Sequence, residues 1–125
     1  MNIRKVGFFP ELRSIVTSSE KMIPEGINYD KGRMTHYLTA GVIAVAAPGV
    51  AFDILQESSD KPIGSRGVKT DGEWIWPSEL VFYVNRYNIR LPEEFVLHCI
   101  HNDWRVPEGV DVLSIASILM SKTEE

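Results

Sequence analysis

The densest run of side chains able to do chemistry is His98-Cys99-Ile100-His101-Asn102-Asp103. His98 and His101 stand three apart, which would put two ligands on one helical turn. A zinc centre ordinarily needs a second spaced pair of ligands, and the sequence offers none. A Cys–His nucleophile needs two side chains that face each other, and adjacent helical positions do not. On a helical wheel Cys99 falls with Phe95 and Val96, and His101 falls opposite. The expectation is a core Cys99 and solvated histidines, with no metal ligand and no nucleophile. Asp53, Glu57, Asp71, Glu73 and Glu79 are carboxylates of the kind that pair for acid–base work. No spacing fixes two of them at a defined distance, so they read as solvated surface. Gly64-Ser65-Arg66-Gly67 lacks the Lys-Ser/Thr ending of a phosphate-binding loop and reads as a flexible loop. Ser14, Ser18, Ser19, Ser58 and Ser59 lie in no Gly-x-Ser-x-Gly pattern. No catalytic residue, metal ligand or cofactor is assigned, and an enzyme is not expected.

The elements that must position these residues are clearest in the second half. Val68-Lys69-Thr70 and Glu73-Trp74-Ile75-Trp76 flank Asp71-Gly72, a strong hairpin signal. Trp74 and Trp76 share a face because side chains alternate along a strand. Pro77 stops the strand, and Ser78 is the expected N-cap of a helix running to about Asn88, with Glu79 at its positive end. Leu80, Tyr83, Val84 and Tyr87 make that helix's apolar stripe, with Val81 and Phe82 off it. Leu91-Pro92 opens another helix, with Glu93 and Glu94 in its first turn and Phe95, Val96, Cys99 and Ile100 on its inner face. Val112, Ile115, Ala116 and Leu119 predict a terminal helix over 111–120 that docks on the core. Trp74, Trp76, Tyr83 and Tyr87 are read as core, and Phe82 as the exposed aromatic.

Upstream, Tyr29 to Ala40 reads as a helix capped by Asp30, with Met34, Tyr37 and Leu38 inward and Gly41 at its end. Val42 to Ala46, ahead of Pro48-Gly49, reads as a short buried strand from its β-branched content, with a helix left open by periodicity, and Ala51 to Leu55 as a short helical turn. Val6 to Phe9 fits a strand or a helix start. The remaining turn signals are Pro24-Glu25-Gly26, Ser58-Ser59-Asp60-Lys61-Pro62 and Pro107-Glu108-Gly109. These elements predict an α+β fold, a small mostly antiparallel sheet with helices packed on it, as one domain over 1–125.

Composition supports an ordinary globular chain. It has 125 residues, 44% hydrophobic and 24% charged, enough to bury a core without crosslinks. A lone cysteine allows no internal disulfide and fits a reducing compartment. The apolar stretch after Arg4 and Lys5 is too short for a signal core, and the run Gly41–Phe52 is too short for a membrane span. A cytoplasmic protein without a membrane segment is expected. Net charge is −4, and it is uneven. Residues 1–21 carry four basic and two acidic side chains, and the remainder carries nine and fifteen. That balance argues against a nucleic-acid partner; it would suit a basic protein partner, though by itself it reads first as ordinary solubility charge.

The run Thr70-Asp71-Gly72-Glu73-Trp74-Ile75-Trp76-Pro77-Ser78-Glu79-Leu80, followed by Tyr83-Val84, Tyr87 and Leu91-Pro92-Glu93-Glu94-Phe95, resembles a pattern in small bacterial proteins. Some of these are immunity proteins of polymorphic-toxin and contact-dependent growth inhibition systems. The resemblance spans about Lys69 to Ile100, with a weaker echo at Tyr37-Leu38, Gly41 and Asp53. It implies binding and neutralisation of one cognate toxin domain, many of which are nucleases with basic surfaces. It carries over no catalytic residue.

Charge makes the segment from Glu93 to Asp111 the first-choice contact surface and Asp53 to Asp60 the second. The expected partner-binding residues are Glu93, Glu94, Asp103, Glu108, Asp111 and Phe82. The alternatives are a small ligand-binding or enzymatic domain with its site under the Trp74–Trp76 hairpin, and a structural subunit with an apolar patch at Ile115 to Met120.

Overall fold

The computed structural model describes residues 3–12, 14, 16, 18–56 and 60–123. Glu57, Ser58 and Ser59, expected in a loop and in the second contact surface, lie outside the described residues.

The fold is α+β. Strand β1 (Arg4–Lys5) is followed by a 3-10 turn at Pro10–Leu12, then α1 (Lys31–Ala40), β2 (Val42–Phe52), β3 (Pro62–Thr70), β4 (Trp74–Pro77), α2 (Leu80–Tyr87), α3 (Glu93–His101) and α4 (Val112–Thr123). The sheet order is β1-β4-β3-β2. The β2–β3 and β3–β4 pairs are antiparallel, and the two-residue β1 runs parallel to β4.

Alternation along β4 divides the interior in two. Trp74 and Trp76 point into the larger core with Met34, Tyr37 and Leu38 of α1, Leu80, Tyr83 and Val84 of α2, and Phe95, Val96 and Cys99 of α3. Ile75 points the other way and packs with Val68, Phe8 and the α4 residues Ile115 and Leu119. Three helices therefore cover one face of the sheet and α4 the other. Aromatic edges fit the larger core together: the Phe95 ring lies 5.1 Å from Trp74 and 5.8 Å from Trp76, both edge-on. The Trp76 ring nitrogen donates to the Leu38 carbonyl at 3.2 Å, so its burial leaves no donor unmet.

Several local expectations hold. Asp30 caps α1 by accepting from the Arg33 N–H at 3.0 Å. Asn88 ends α2 in a left-handed conformation, φ 51°. Others need correction. The segment Val42–Ala46 is not a short buried strand. It opens an eleven-residue edge strand, and Val42 and Ile43 are exposed. Pro48-Gly49 does not end it, because between the Ala46–Gly67 and Val50–Ser65 pairs three residues of β2 stand against one of β3. That bulge absorbs the proline, which cannot donate to a ladder. Ala51 and Phe52 close β2, leaving only a turn at Ile54–Leu55 instead of a helical turn. Gly64–Gly67 is part of β3, not a flexible loop. Val6–Phe9 forms no regular element, yet all four residues are buried. Glu79, not Ser78, occupies the N-cap of α2, and it makes no side-chain cap bond. Ser78 instead donates its backbone N–H to Gly67 at 3.0 Å. Ile100, expected inward, is 49% exposed.

Candidate functional site

The hairpin turn is built around Asp71. Its Oδ1 accepts the backbone N–H groups of Glu73 at 2.9 Å and Trp74 at 2.8 Å, and Gly72 takes φ +104° between them. The carboxylate thus replaces the backbone acceptor a tight turn would use. The other oxygen, Oδ2, faces inward. It accepts from the Tyr37 hydroxyl of α1 at 2.5 Å and lies 2.7 Å from Nε2 of His98 on α3. Asn102, one turn beyond His98, donates to the Tyr37 oxygen at 3.1 Å. Asp71 is 2% exposed, and four donors compensate its desolvation. Burial and the bond to Asp71 push the Tyr37 hydroxyl far above its ordinary range.

His98 completes the arrangement. Its Nδ1 lies 3.2 Å from the carboxylate of Glu73, which remains well exposed. The imidazole is therefore held between two carboxylates, one buried and one solvated, and both acceptors are met only when both ring nitrogens carry hydrogen. Its side chain is 14% exposed. This corrects the expectation of a solvated His98: the hairpin turn folds over it and holds its ring against Asp71. His101 is exposed as expected.

These groups form one wall of a cleft of about 270 Å³ between the hairpin turn, the end of α3 and the loop 107–111. Glu73, Glu108 and Asp111 bring carboxylates to it. Glu108 is exposed. Asp111 caps α4, accepting from the Ser114 N–H at 3.1 Å and the Ser114 hydroxyl at 2.7 Å, and these bonds hold its carboxyl below the usual range.

Of the predicted contact residues, the structure gathers Glu108 and Asp111 at this cleft. Glu93, Glu94, Asp103 and Phe82 are not among its lining residues. Glu93 and Glu94 are exposed in the first turn of α3, where Glu94 meets Arg4 at 3.4 Å. Asp103 is exposed just beyond α3. Phe82 is partly buried, packed edge-on against Tyr83 and Tyr87, so it is a less open aromatic than expected. The patch expected at Ile115 to Met120 is broken up, because Ile115 and Leu119 are buried while Met120 is half exposed.

Sequence reasoning missed Asp71, His98, Tyr37 and Asn102 as one assembly, and it misread three carboxylates. Asp53, Asp71 and Glu79 are buried instead of solvated. Asp53 accepts from the Tyr87 hydroxyl and from the Leu55 N–H, the latter at 2.9 Å. It anchors the end of β2 to α2 much as Asp71 anchors the hairpin to α1 and α3. Among the described residues no three His, Cys, Asp or Glu side chains are placed to hold a metal ion. Cys99 is fully buried, and burial pushes its thiol well above the ordinary range, which suits a packing role. No helix of the described residues is long and apolar enough to cross a membrane.

Compared with known proteins, the chain matches no family model, no curated protein and no solved structure.

Proposed function

We propose that this chain is an immunity-type protein that neutralises a bacterial toxin domain by binding it one-to-one, with the cleft at Glu73, Glu108 and Asp111 as the contact centre. One observation supports this above the others. Exposed carboxylates of the hairpin turn and the 107–111 loop converge on a concave surface whose floor is fixed by the Asp71–Tyr37–His98–Asn102 network. A basic surface, such as the substrate face of a nuclease, would meet a preformed complement there, which favours fast and selective association. Glu93, Glu94 and Asp103 extend the acidic surface along α3 and belong to the proposed rim. The working compartment under this reading is the cytoplasm of the cell that makes the toxin.

The test is co-expression with the C-terminal domain of the neighbouring gene product in a sensitive host. Rescue of growth and co-purification are expected, and both should be lost when Glu73 and Glu108 are changed together to Lys. A toxic neighbour that is neither bound nor blocked overturns the reading for that pair.

A second reading, a small ligand-binding or enzymatic domain, draws on the buried Asp71 beside Nε2 of His98, an arrangement that orients an imidazole in many general bases and would free Nδ1 for that role once the exposed Glu73 carboxylate turns away. Stoichiometry separates the two. A binder protects only when it equals or exceeds the toxin, whereas an enzyme protects at far lower ratios.

A further inference from the structure

A second cleft of about 660 Å³ lies between the 3-10 turn, the segment 19–24 and the turn at Ile54–Leu55. Its walls are mostly apolar: Pro10, Met22, Pro24, Ile54 and Leu55. Met22 and Ile54 pack on the main core from below, and Leu55 is 45% exposed. The carboxylate of Glu20 stands in this apolar wall. Its Oε1 is fixed by the Gly7 N–H at 2.9 Å. Burial pushes its pKa up, the sign of a charge poorly compensated by its surroundings. No ion pair reaches it among the described residues. Lys21 and Glu11, both exposed, also line the cleft.

We propose that this cleft binds a small organic cation with an apolar body, of the alkylammonium or alkylguanidinium class, its head on Glu20 and its chain on Met22, Ile54 and Leu55. The volume falls in the range of small-molecule pockets. A cationic head supplies the opposite charge that no described residue brings to Glu20, at a place where low local polarity strengthens the pairing. An aliphatic stem covers the exposed side of Leu55, which a metal ion or a free ammonium ion would leave wet. Binding weakens as pH falls through the raised range of Glu20, because the protonated carboxyl carries no charge. The inference does not depend on toxin binding, since it concerns a different cleft and is tested on this chain alone.

The experiment is a titration of the isotopically labelled chain with n-butylammonium chloride, followed by amide NMR, with n-butanol as the neutral twin. Saturable shifts of the Gly7 and Leu55 amides are expected with butylammonium, with butanol and ammonium chloride each roughly tenfold weaker. Glu20→Gln keeps an acceptor for Gly7 but removes the charge, and it should weaken butylammonium binding by roughly tenfold. Leu55→Ala, an exposed position that should not disturb folding, should weaken it several-fold. Equal binding of butanol, unchanged affinity in Glu20→Gln, or shifts that spread over the surface without saturating would each overturn the proposal.

Discussion

Four donors converge on one carboxylate at Asp71, and its replacement tests the network directly. Asp71→Ala leaves the Glu73 and Trp74 N–H groups, the Tyr37 hydroxyl and His98 without their acceptor. The expected loss of stability is about 3 kcal/mol or more, read from urea unfolding. Asp71→Asn retains a carbonyl oxygen for the two turn N–H groups and should cost less. Little of this was legible in the sequence. Asp71-Gly72 announced a turn, because local backbone chemistry is written locally. That its carboxylate would turn inward depends on Tyr37, 34 residues upstream, and on a helix 27 residues downstream. A helical wheel assigns faces relative to one core, and it cannot know that a neighbouring turn will cover the face it leaves over. His98 was misplaced for that reason, while Cys99 and Phe95, which face the core itself, were placed correctly.

The elements divide in the same way. Period-2 and period-3.6 patterns located β4, α1, α2, α3 and α4, since each helix buries one face against the sheet and β4 alternates between the two cores. The first five residues of β2 were read as strand, but its full length escaped because Pro48-Gly49 reads as a stop when the partner strand is unseen. Gly41, between α1 and β2, was read as the residue that ends α1, and it does so, with φ −56°, outside the left-handed region that favours glycine. The residue is small for another reason: a Cβ there would fall against the Trp76 ring, closer than carbon atoms approach. Gly41→Ala should therefore destabilise the chain by about 1–3 kcal/mol, measured by thermal or urea unfolding. At the start of α2, burial raises the pKa of Glu79 above its ordinary value of 4.5, and this outweighs the opposing pulls of a backbone hydrogen bond and of Arg66. An acid with a raised folded-state value opposes folding when ionised, and the penalty disappears as pH falls through that value toward 4.5. Glu79→Gln should thus gain on the natural chain at pH 7 and lose that advantage near pH 4. Unfolding midpoints across that range provide the check, and a constant difference would contradict it.

At the scale of the whole molecule, composition and turn signals were enough for the α+β class and for the mostly antiparallel sheet. They did not reveal that the sheet is covered on both faces, because the apolar stripe of α4 says that it docks on a core but not on which side of the sheet. The net charge of −4 acts at this scale as well. If a basic partner is steered to the acidic cleft, its association rate should fall on the order of tenfold as salt rises from low concentration to about 0.5 M. Stopped-flow mixing measures this, and a salt-independent rate would argue for an uncharged contact.

The bonds Tyr37–Asp71 and Asp53–Tyr87 each tie positions 34 residues apart, and the two spans overlap through β3. Releasing either tie leaves that shared stretch still held by the other, so a partial opening frees little chain and recovers little conformational entropy. The middle of the sequence is therefore built to come apart in one step. In hydrogen exchange the amides of β3 and of the hairpin turn should share a single opening free energy, with no intermediate tier between them and the core.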